Sequence, residues 1–234
     1  MQDKRSSEDL KRAAAERAVV EYVESGIVVG LGTGSTASYV VHKIGELLAS
    51  GDLEDVQGIP TSSRTAALAE EAGIPLVTLS EARPQLTIDG ADEVGPGLAL
   101  IKGRGGALLR EKIVACASQG GLVVVADESK LVESLGEGIL PVEIEPFGWE
   151  ATLEALASLG GEPELRMDDT GRAYMTDGGH YTADCLFSSI SDPAALEKEI
   201  KHIPGALESG LFVELAFAAA VGRSSGTEII GVGA

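Results

Sequence analysis

The sequence predicts an α/β protein: a Rossmann-like, mostly parallel sheet with helices on both faces, joined to a smaller α+β domain. Three observations carry this. Short apolar runs alternate with segments of helical periodicity through the first half of the chain, the pattern of β-loop-α units whose parallel strands are buried on both faces. Hydrophobic residues make up 44% of the chain and aromatic ones only 4%, so the core is built from Ala, Val, Leu and Ile. A Gly-rich turn follows the first apolar run, where a strand hands over to a helix.

Taken in order, Ser6 and Ser7 before Glu8 and Asp9 mark a helix start, and Leu10, Ala13, Ala14, Ala18 and Val19 continue it to about Val23. Gly26 to Leu31 reads as a buried strand, and the helix after it carries Val40, Val41, Ile44, Leu47 and Leu48 on one side. The alternation goes on with strand 56–59, helix 62–72, strand 86–89, helix 105–118 and strand 122–126. Beyond Lys130 the pattern changes. Residues 134–205 read as a smaller α+β domain, with a strand from Pro141 to Phe147, a helix from Trp149 to Leu159, a Gly178-Gly179 turn before a strand at 181–187, and a helix from Pro193 to Lys201. The apolar tail 211–221 and a last strand, 228–232, return to the main domain, which is therefore 1–133 with 206–234.

A net charge of −19, from 37 acidic against 18 basic residues, repels phosphate backbones and anionic membranes, so neither nucleic acid nor membrane is an expected partner. The excess of acid over eight lysines also suits a protein adapted to high salt, and predicts stability or activity that rises between low and molar KCl. No stretch approaches the roughly 20 apolar residues of a membrane span, and the N-terminus has no apolar signal core, so a cytoplasmic location is expected. Cys116 and Cys185 have no metal-ligand spacing and read as small core residues; His42, His180 and His202 are scattered and take no role.

Four stretches could carry chemistry. In Gly30-Leu-Gly32-Thr33-Gly34-Ser35-Thr36 the glycines let backbone N–H groups approach an anion, the helix start adds positive partial charge, and Thr33, Ser35 and Thr36 add hydroxyls. A nucleotide P-loop would need a Lys that is missing, and a dinucleotide fingerprint would need Gly where Ser35 stands. A structural tight turn and a small phosphorylated ligand both stay open. Leu86-Thr-Ile-Asp89-Gly90-Ala91-Asp92-Glu93 puts carboxylates at a strand's C-terminal end, where they can accept sugar hydroxyls or move protons, or simply form a solvated Asp-Gly turn. Without His they do not define a metal site. In the third stretch Lys102-Gly103 opens a Gly-rich loop and Glu111 follows in the next helix, with Ala107, Leu108, Val114 and Ala115 as helical neighbours. An apolar setting of that kind would raise a carboxyl's pKa toward that of a working base. Arg110 and Lys112 have similar neighbours, however, so periodicity alone also fits a solvated Arg-Glu-Lys cluster. The fourth, Val123 to Lys130, is a strand ending in a charged turn, where Lys130 could bind phosphate or be an ordinary surface lysine.

Gly32-Thr-Gly-Ser-Thr36, Thr61-Ser-Ser-Arg64-Thr65, Asp89-Gly-Ala-Asp92-Glu93, Lys102-Gly103 with Arg110-Glu111-Lys112, Ala126-Asp-Glu-Ser-Lys130 and Leu140-Pro-Val-Glu-Ile together resemble the type A ribose-5-phosphate isomerases, in family order and over most of the chain. The resemblance implies interconversion of D-ribose 5-phosphate and D-ribulose 5-phosphate, in the pentose phosphate pathway, with no metal or organic cofactor. It implies Glu111 as the proton acceptor, Asp89 and Asp92 as carboxylates that hold or exchange protons with sugar hydroxyls, and Lys102 beside the developing oxyanion. It further implies substrate contacts from Thr33, Gly34, Ser35, Thr36, Gly90, Ala91, Gly103 and Lys130, and a homodimer or homotetramer in which the smaller domain, 134–205, could serve oligomerisation. Two positions depart from the family pattern: Arg104 interrupts a glycine run, and Leu109 stands where Thr is common. A non-catalytic sugar-phosphate sensor is the alternative, but it would need a basic helix-turn-helix, and only one helix precedes the first strand. A glucosamine-6-phosphate deaminase relative would need histidine motifs that the sequence lacks.

Overall fold

The computed structural model describes residues 6–231. The chain divides into two compact units, Met1–Ala91 with Arg110–Leu131 and Glu214–Ala234, and Asp92–Leu109 with Val132–Val213. Compared with a boundary drawn at 134–205, the second unit also takes in the segment from Asp92 to Leu109 and reaches Val213.

The first unit is built on a six-stranded sheet. Its strands are β1 (Val28–Leu31), β2 (Gln57–Pro60), β3 (Leu86–Gly90), β6 (Leu122–Asp127), β12 (Ala216–Arg223) and β13 (Gly226–Gly231), in the order β13-β12-β6-β3-β1-β2. All neighbours are parallel except β13, which pairs antiparallel with β12 through a hairpin. The last strand expected from the sequence ran to Val232, which lies outside the described residues.

Alternation along β1 shows why helices cover both faces. Val29 and Leu31 enter a cluster with Ala15, Ala18 and Val19 of α1 (Ser7–Tyr22) and Val40, Val41 and Ile44 of α2 (Ser35–Ser50). Val28 turns the other way, to Ile59 and to Val114 of α4 (Leu108–Ala117). Gly30 shares that second face, and a Cβ there would come within 2.8 Å of Val114 Cγ1. The sheet can pack this closely on α4 only without the side chain.

Local signals set the helix ends. Ser6 and Asp9 form a capping box at α1, with the Ser6 hydroxyl accepting the Asp9 N–H at 3.2 Å and Asp9 Oδ2 accepting the Ser6 N–H at 3.0 Å. Ser62 caps α3 (Ser63–Glu71) by accepting the Thr65 N–H, and Asp192 caps α6 (Pro193–Lys201) by accepting the Ala195 N–H. Helix α4 starts at Leu108 rather than at Gly105, because Gly103 and Gly106, at φ +102° and +77°, hold the preceding segment as a loop.

In the second unit β7 (Ile139–Ile144), β8 (Glu162–Leu165), β9 (Tyr181–Leu186) and β10 (Ala206–Ser209) form an antiparallel sheet in the order β10-β7-β9-β8. Leu140, Val142, Ile144, Ala183 and Cys185 pack with Leu156 of α5 (Trp149–Ala157) and Ile200 of α6. Strand β7 ends at Ile144, short of the expected Phe147, since Pro146 has no N–H to give a ladder. The sequence hid β8, whose Glu-Pro-Glu-Leu run is an edge strand with little apolar pattern. A separate three-stranded sheet joins β4 (Glu93–Val94), β5 (Leu100–Ile101) and β11 (Leu211–Phe212) in the order β11-β5-β4. The expected placing of both cysteines in the core holds for Cys185 only. Cys116 is exposed, on a turn of α4 that faces away from the packed side. Among the described residues no helix is long and apolar enough to cross a membrane.

Candidate active site

In the first unit the candidate residues gather at the C-terminal ends of β1, β3 and β6. Strand β1 lies between β2 and β3, so the chain leaves it toward β2 on one side and returns as β3 on the other. Open α/β sheets bind ligands at such a reversal, where the two loops part. Here the loop after β1 is bound to β3 through one carboxylate: Asp89 Oδ1 accepts the Thr33 N–H at 3.0 Å and the Gly90 N–H at 2.7 Å. Asp89 is buried. Gly32 makes the approach feasible, since a Cβ there would stand 2.1 Å from Asp89 Oδ1 and 2.6 Å from Asp89 Cα.

Gly34, at φ +123°, turns the loop into α2. Gly34 and Ser35 are exposed and Thr36 half-buried. The leading N–H groups of a 16-residue helix, with its positive dipole end, are thus available to an anion. Thr33 does a different job from its neighbours. Its hydroxyl lies 2.8 Å from Thr61 Oγ1 and Ser62 Oγ and 3.0 Å from Thr65 Oγ1. The Thr61 and Thr65 hydroxyls in turn donate to Leu31 O and Gly32 O, both at 3.0 Å. The Thr33 side chain is therefore part of the scaffold under the loop. The sequence held the signal for this support in Thr61-Ser-Ser-Arg64-Thr65, but pattern alone could not say what it supports.

Glu111 is the fourth residue of α4 and is buried, as is Lys112, whereas Arg110 is exposed. Packing thus divides a trio that helical periodicity treats alike. Lys130 follows β6 in a short 3₁₀ turn shaped by buried Asp127, whose Oδ1 accepts the Ser129 N–H at 2.9 Å and the Ser129 hydroxyl. Asp127 was not singled out from the sequence; a strand-ending Asp two residues before Ser is the cue that would have found it.

In the second unit Lys102 follows β5, with its N–H donating to Gly210 O at 2.9 Å. The residue is 2% exposed and its Nζ lies 5.4 Å from the centre of the Phe212 ring, within cation–π range. Asp92 Oδ2 accepts the Arg104 N–H at 2.9 Å. Arg104, the departure from the glycine run, extends its guanidinium to Glu93, with Nη2 3.2 Å from Oε1. Buried Glu93 also accepts the N–H groups of Gly136 at 2.8 Å and Gly138 at 2.7 Å. A Cβ on Gly138 would sit 2.0 Å from Arg104 Nη2, so the guanidinium lies directly over that glycine. Arg104 thus fastens a loop.

Of the histidines, His180 Nδ1 is 2.8 Å from the buried Glu143 carboxylate, and His202 Nδ1 is 2.6 Å from Lys198 O. Both serve local structure. Among the described residues no group of three or more His, Cys, Asp or Glu is arranged to hold a metal ion.

Fold and candidate site define the class: an α/β protein with helix N–H groups and polar side chains exposed at the C-terminal edge of a parallel sheet. Comparison with known proteins narrows the class. The family model of ribose 5-phosphate isomerase A (phosphoriboisomerase A) matches residues 57–226. A ribose-5-phosphate isomerase A of Gloeobacter violaceus is 57% identical over 224 residues, covering 94% of this chain and 95% of the relative. One from Roseiflexus castenholzii is 52% identical over 219 residues, covering 92% of each. Among solved structures, a D-ribose-5-phosphate isomerase in complex with phospho-erythronic acid superposes with a TM-score of 0.94 at 38% identity, over 97% of this chain and 100% of the other. The enzyme of Plasmodium falciparum gives 0.92 at 40% identity, with the same coverage. The chain belongs to the ribose 5-phosphate isomerase A family.

Proposed function

We propose that the chain interconverts D-ribose 5-phosphate and D-ribulose 5-phosphate through an enediolate, with Glu111 as the base. The observation that carries the mechanism is the burial of Glu111, a residue 3% exposed on a helix that leaves Arg110 exposed. The reaction is redox-neutral. A base takes the C2 proton of the aldose, the electron pair forms the C1–C2 double bond, and negative charge moves to the carbonyl oxygen. The same carboxylic acid then returns the proton to C1 while the hydroxyl proton passes from O2 to O1.

A C–H beside a carbonyl is a weak acid, so the base works only where a nearby cation or donor stabilises the enediolate more than the substrate. Lys102 supplies that cation, Asp89 and Asp92 hold the sugar hydroxyls, and Gly34 to Thr36 with Lys130 receive the phosphate. Gly90, Ala91 and Gly103 offer backbone contacts. Thr33 has both its hydroxyl and its N–H engaged within the protein, so it acts by holding the loop against Asp89. Family membership supports this reading over that of a non-catalytic sensor. The phospho-erythronic acid held by the relative carries a carboxylate and a phosphate on a hydroxylated chain, a charge pattern like that of a phosphorylated enediolate.

The test is formation of ribulose 5-phosphate from ribose 5-phosphate in EDTA, by wild type and by Glu111→Gln. Wild type is expected to turn over, and the variant to lose about 10²-fold or more in kcat. In D2O the wild-type product should carry deuterium at C1. An inactive wild type would remove the assignment, and a near-normal variant would remove Glu111 as base. We also propose a homodimer or homotetramer formed through the second unit, supported by the exposed apolar side chains of Ile139, Met167 and Leu186. Sedimentation equilibrium reads its mass directly.

A further inference from the structure

We propose that Arg166 is a positioning residue for the Lys102 loop, acting as a clamp that fixes the direction of its peptide groups. This rests on the reading that the loop serves the isomerase site. Arg166 follows β8 and keeps pairing with β9, its N–H donating to Thr182 O at 2.8 Å. Two residues before it, Glu164 stands opposite Asp184, so Arg166 and Asp184 are diagonal neighbours on one face of the sheet. The guanidinium grips the carboxylate with two hydrogen bonds, Nε to Oδ2 at 2.8 Å and Nη2 to Oδ1 at 2.5 Å, the bidentate geometry that gives an Arg side chain a fixed plane. The side chains are only 13% and 20% exposed.

So fixed, Nη1 is left to reach the loop. It donates to Gly103 O at 3.3 Å and to Arg104 O at 3.1 Å, more than sixty residues away in sequence. The Tyr174 ring, 5.6 Å from the guanidinium carbon, closes the device. Tyr174 also packs on Gly106, where a Cβ would meet the phenol oxygen at 2.2 Å. Gly103, Arg104 and Gly106 are therefore all held from one side by the Arg166–Tyr174 pair.

The consequence follows from peptide planarity. In a trans peptide the C=O and N–H point in opposite directions. Arg166 holds the Arg104 carbonyl and shares the Gly103 carbonyl with the Gly106 N–H, which donates to it at 2.9 Å, and this turns the N–H groups of Arg104 and Gly105 the other way. The Arg104 N–H meets Asp92 Oδ2 at 2.9 Å, and the Gly105 N–H, on an exposed residue, is presented as a donor. A cation on the carbonyl side also polarises these amides. Arg166 therefore sets Asp92 and the loop that begins at Lys102 without needing to touch substrate.

The experiment combines kinetics with hydrogen–deuterium exchange of the peptide spanning 102–108, in wild type, Arg166→Gln and Asp184→Asn. Wild type and Glu111→Gln are assayed alongside. Arg166→Gln should lower kcat roughly 10- to 100-fold, as a misplaced catalytic loop does, with KM changed less than about 3-fold. Its 102–108 amides should exchange at least about 10-fold faster while the peptide spanning 140–144 keeps its protection. Asp184→Asn, which keeps the shape but loosens the guanidinium, should move both readouts the same way by less. Unchanged exchange at 102–108, exchange that rises equally in both peptides, or a loss confined to KM would overturn the clamp. If wild type itself fails to isomerise ribose 5-phosphate, the reading of the site falls, and the exchange data still decide whether Arg166 orders the loop.

Discussion

The chain holds two glycine loops by opposite chemistry. The loop through Gly32, Thr33 and Gly34 is underpinned mainly by hydroxyls, with Thr33, Thr61, Ser62 and Thr65 sharing hydrogen bonds, and by one carboxylate, Asp89, that accepts two N–H groups. The loop through Gly103 and Gly106 is held by ions, Arg104 on Glu93 and Arg166 on Asp184. A hydroxyl network is short and rigid, and suits a loop whose N–H groups keep fixed directions. Charged side chains reach further, and can fasten a loop that runs between a small sheet and a helix. The two supports should fail differently.

The largest expected effect is on the ionic side. Glu93→Ala strips the partner from the Gly136 and Gly138 amides and from Arg104 together, and should cost about 2–4 kcal/mol in urea unfolding. Gly32→Ala attacks the hydroxyl-supported loop. Its Cβ would overlap Asp89, and the repacking should cost roughly 1–3 kcal/mol, with a fall in kcat/KM that exceeds the stability loss because Asp89 itself must move. Thr65→Val removes one hydroxyl from the network beneath that loop and should cost about 1–2 kcal/mol, independent of KCl. Equal salt dependence of Thr65→Val and Glu93→Ala would erase the distinction between the two supports. Arg104→Ala should cost no more than about 1 kcal/mol, since the guanidinium side chain is 37% exposed and Glu93 keeps its two amides.

The cysteines give the smallest readout. Burial, with Asp184 adding to it, pushes the Cys185 thiol from an ordinary value of 9.0 up to about 12. The folded state keeps its proton where the unfolded state has lost it, so this contribution to stability is complete below about pH 9 and is lost between 9 and 12. The stability gap between wild type and Cys185→Ala should narrow over that range. A thiol reagent at pH 8 should label Cys116 alone in the native protein, and both cysteines after denaturation.

Local features of the sequence determined a good deal. The fold class, the order of the parallel unit's elements, the caps at Ser6 and Ser62 and the glycine turn before α2 are all set within a few residues, where periodicity and backbone preference act. Glu111, Asp89, Lys102 and Lys130 were legible as candidates because they end strands or follow glycine turns. Tertiary structure decided what each side chain meets. Burial separates Glu111 from Arg110, Arg104 is claimed by Glu93, and Thr33 spends its hydroxyl on residues 28 to 32 positions ahead. Arg166, just past the edge strand β8, reaches carbonyls 62 and 63 residues back. Periodicity encodes which face of an element is apolar, but the partner of a polar group depends on how distant segments are brought together. That is why Glu111 could be picked out as a candidate from the chain and its motifs, while the residues that fasten the loop after Lys102 could not.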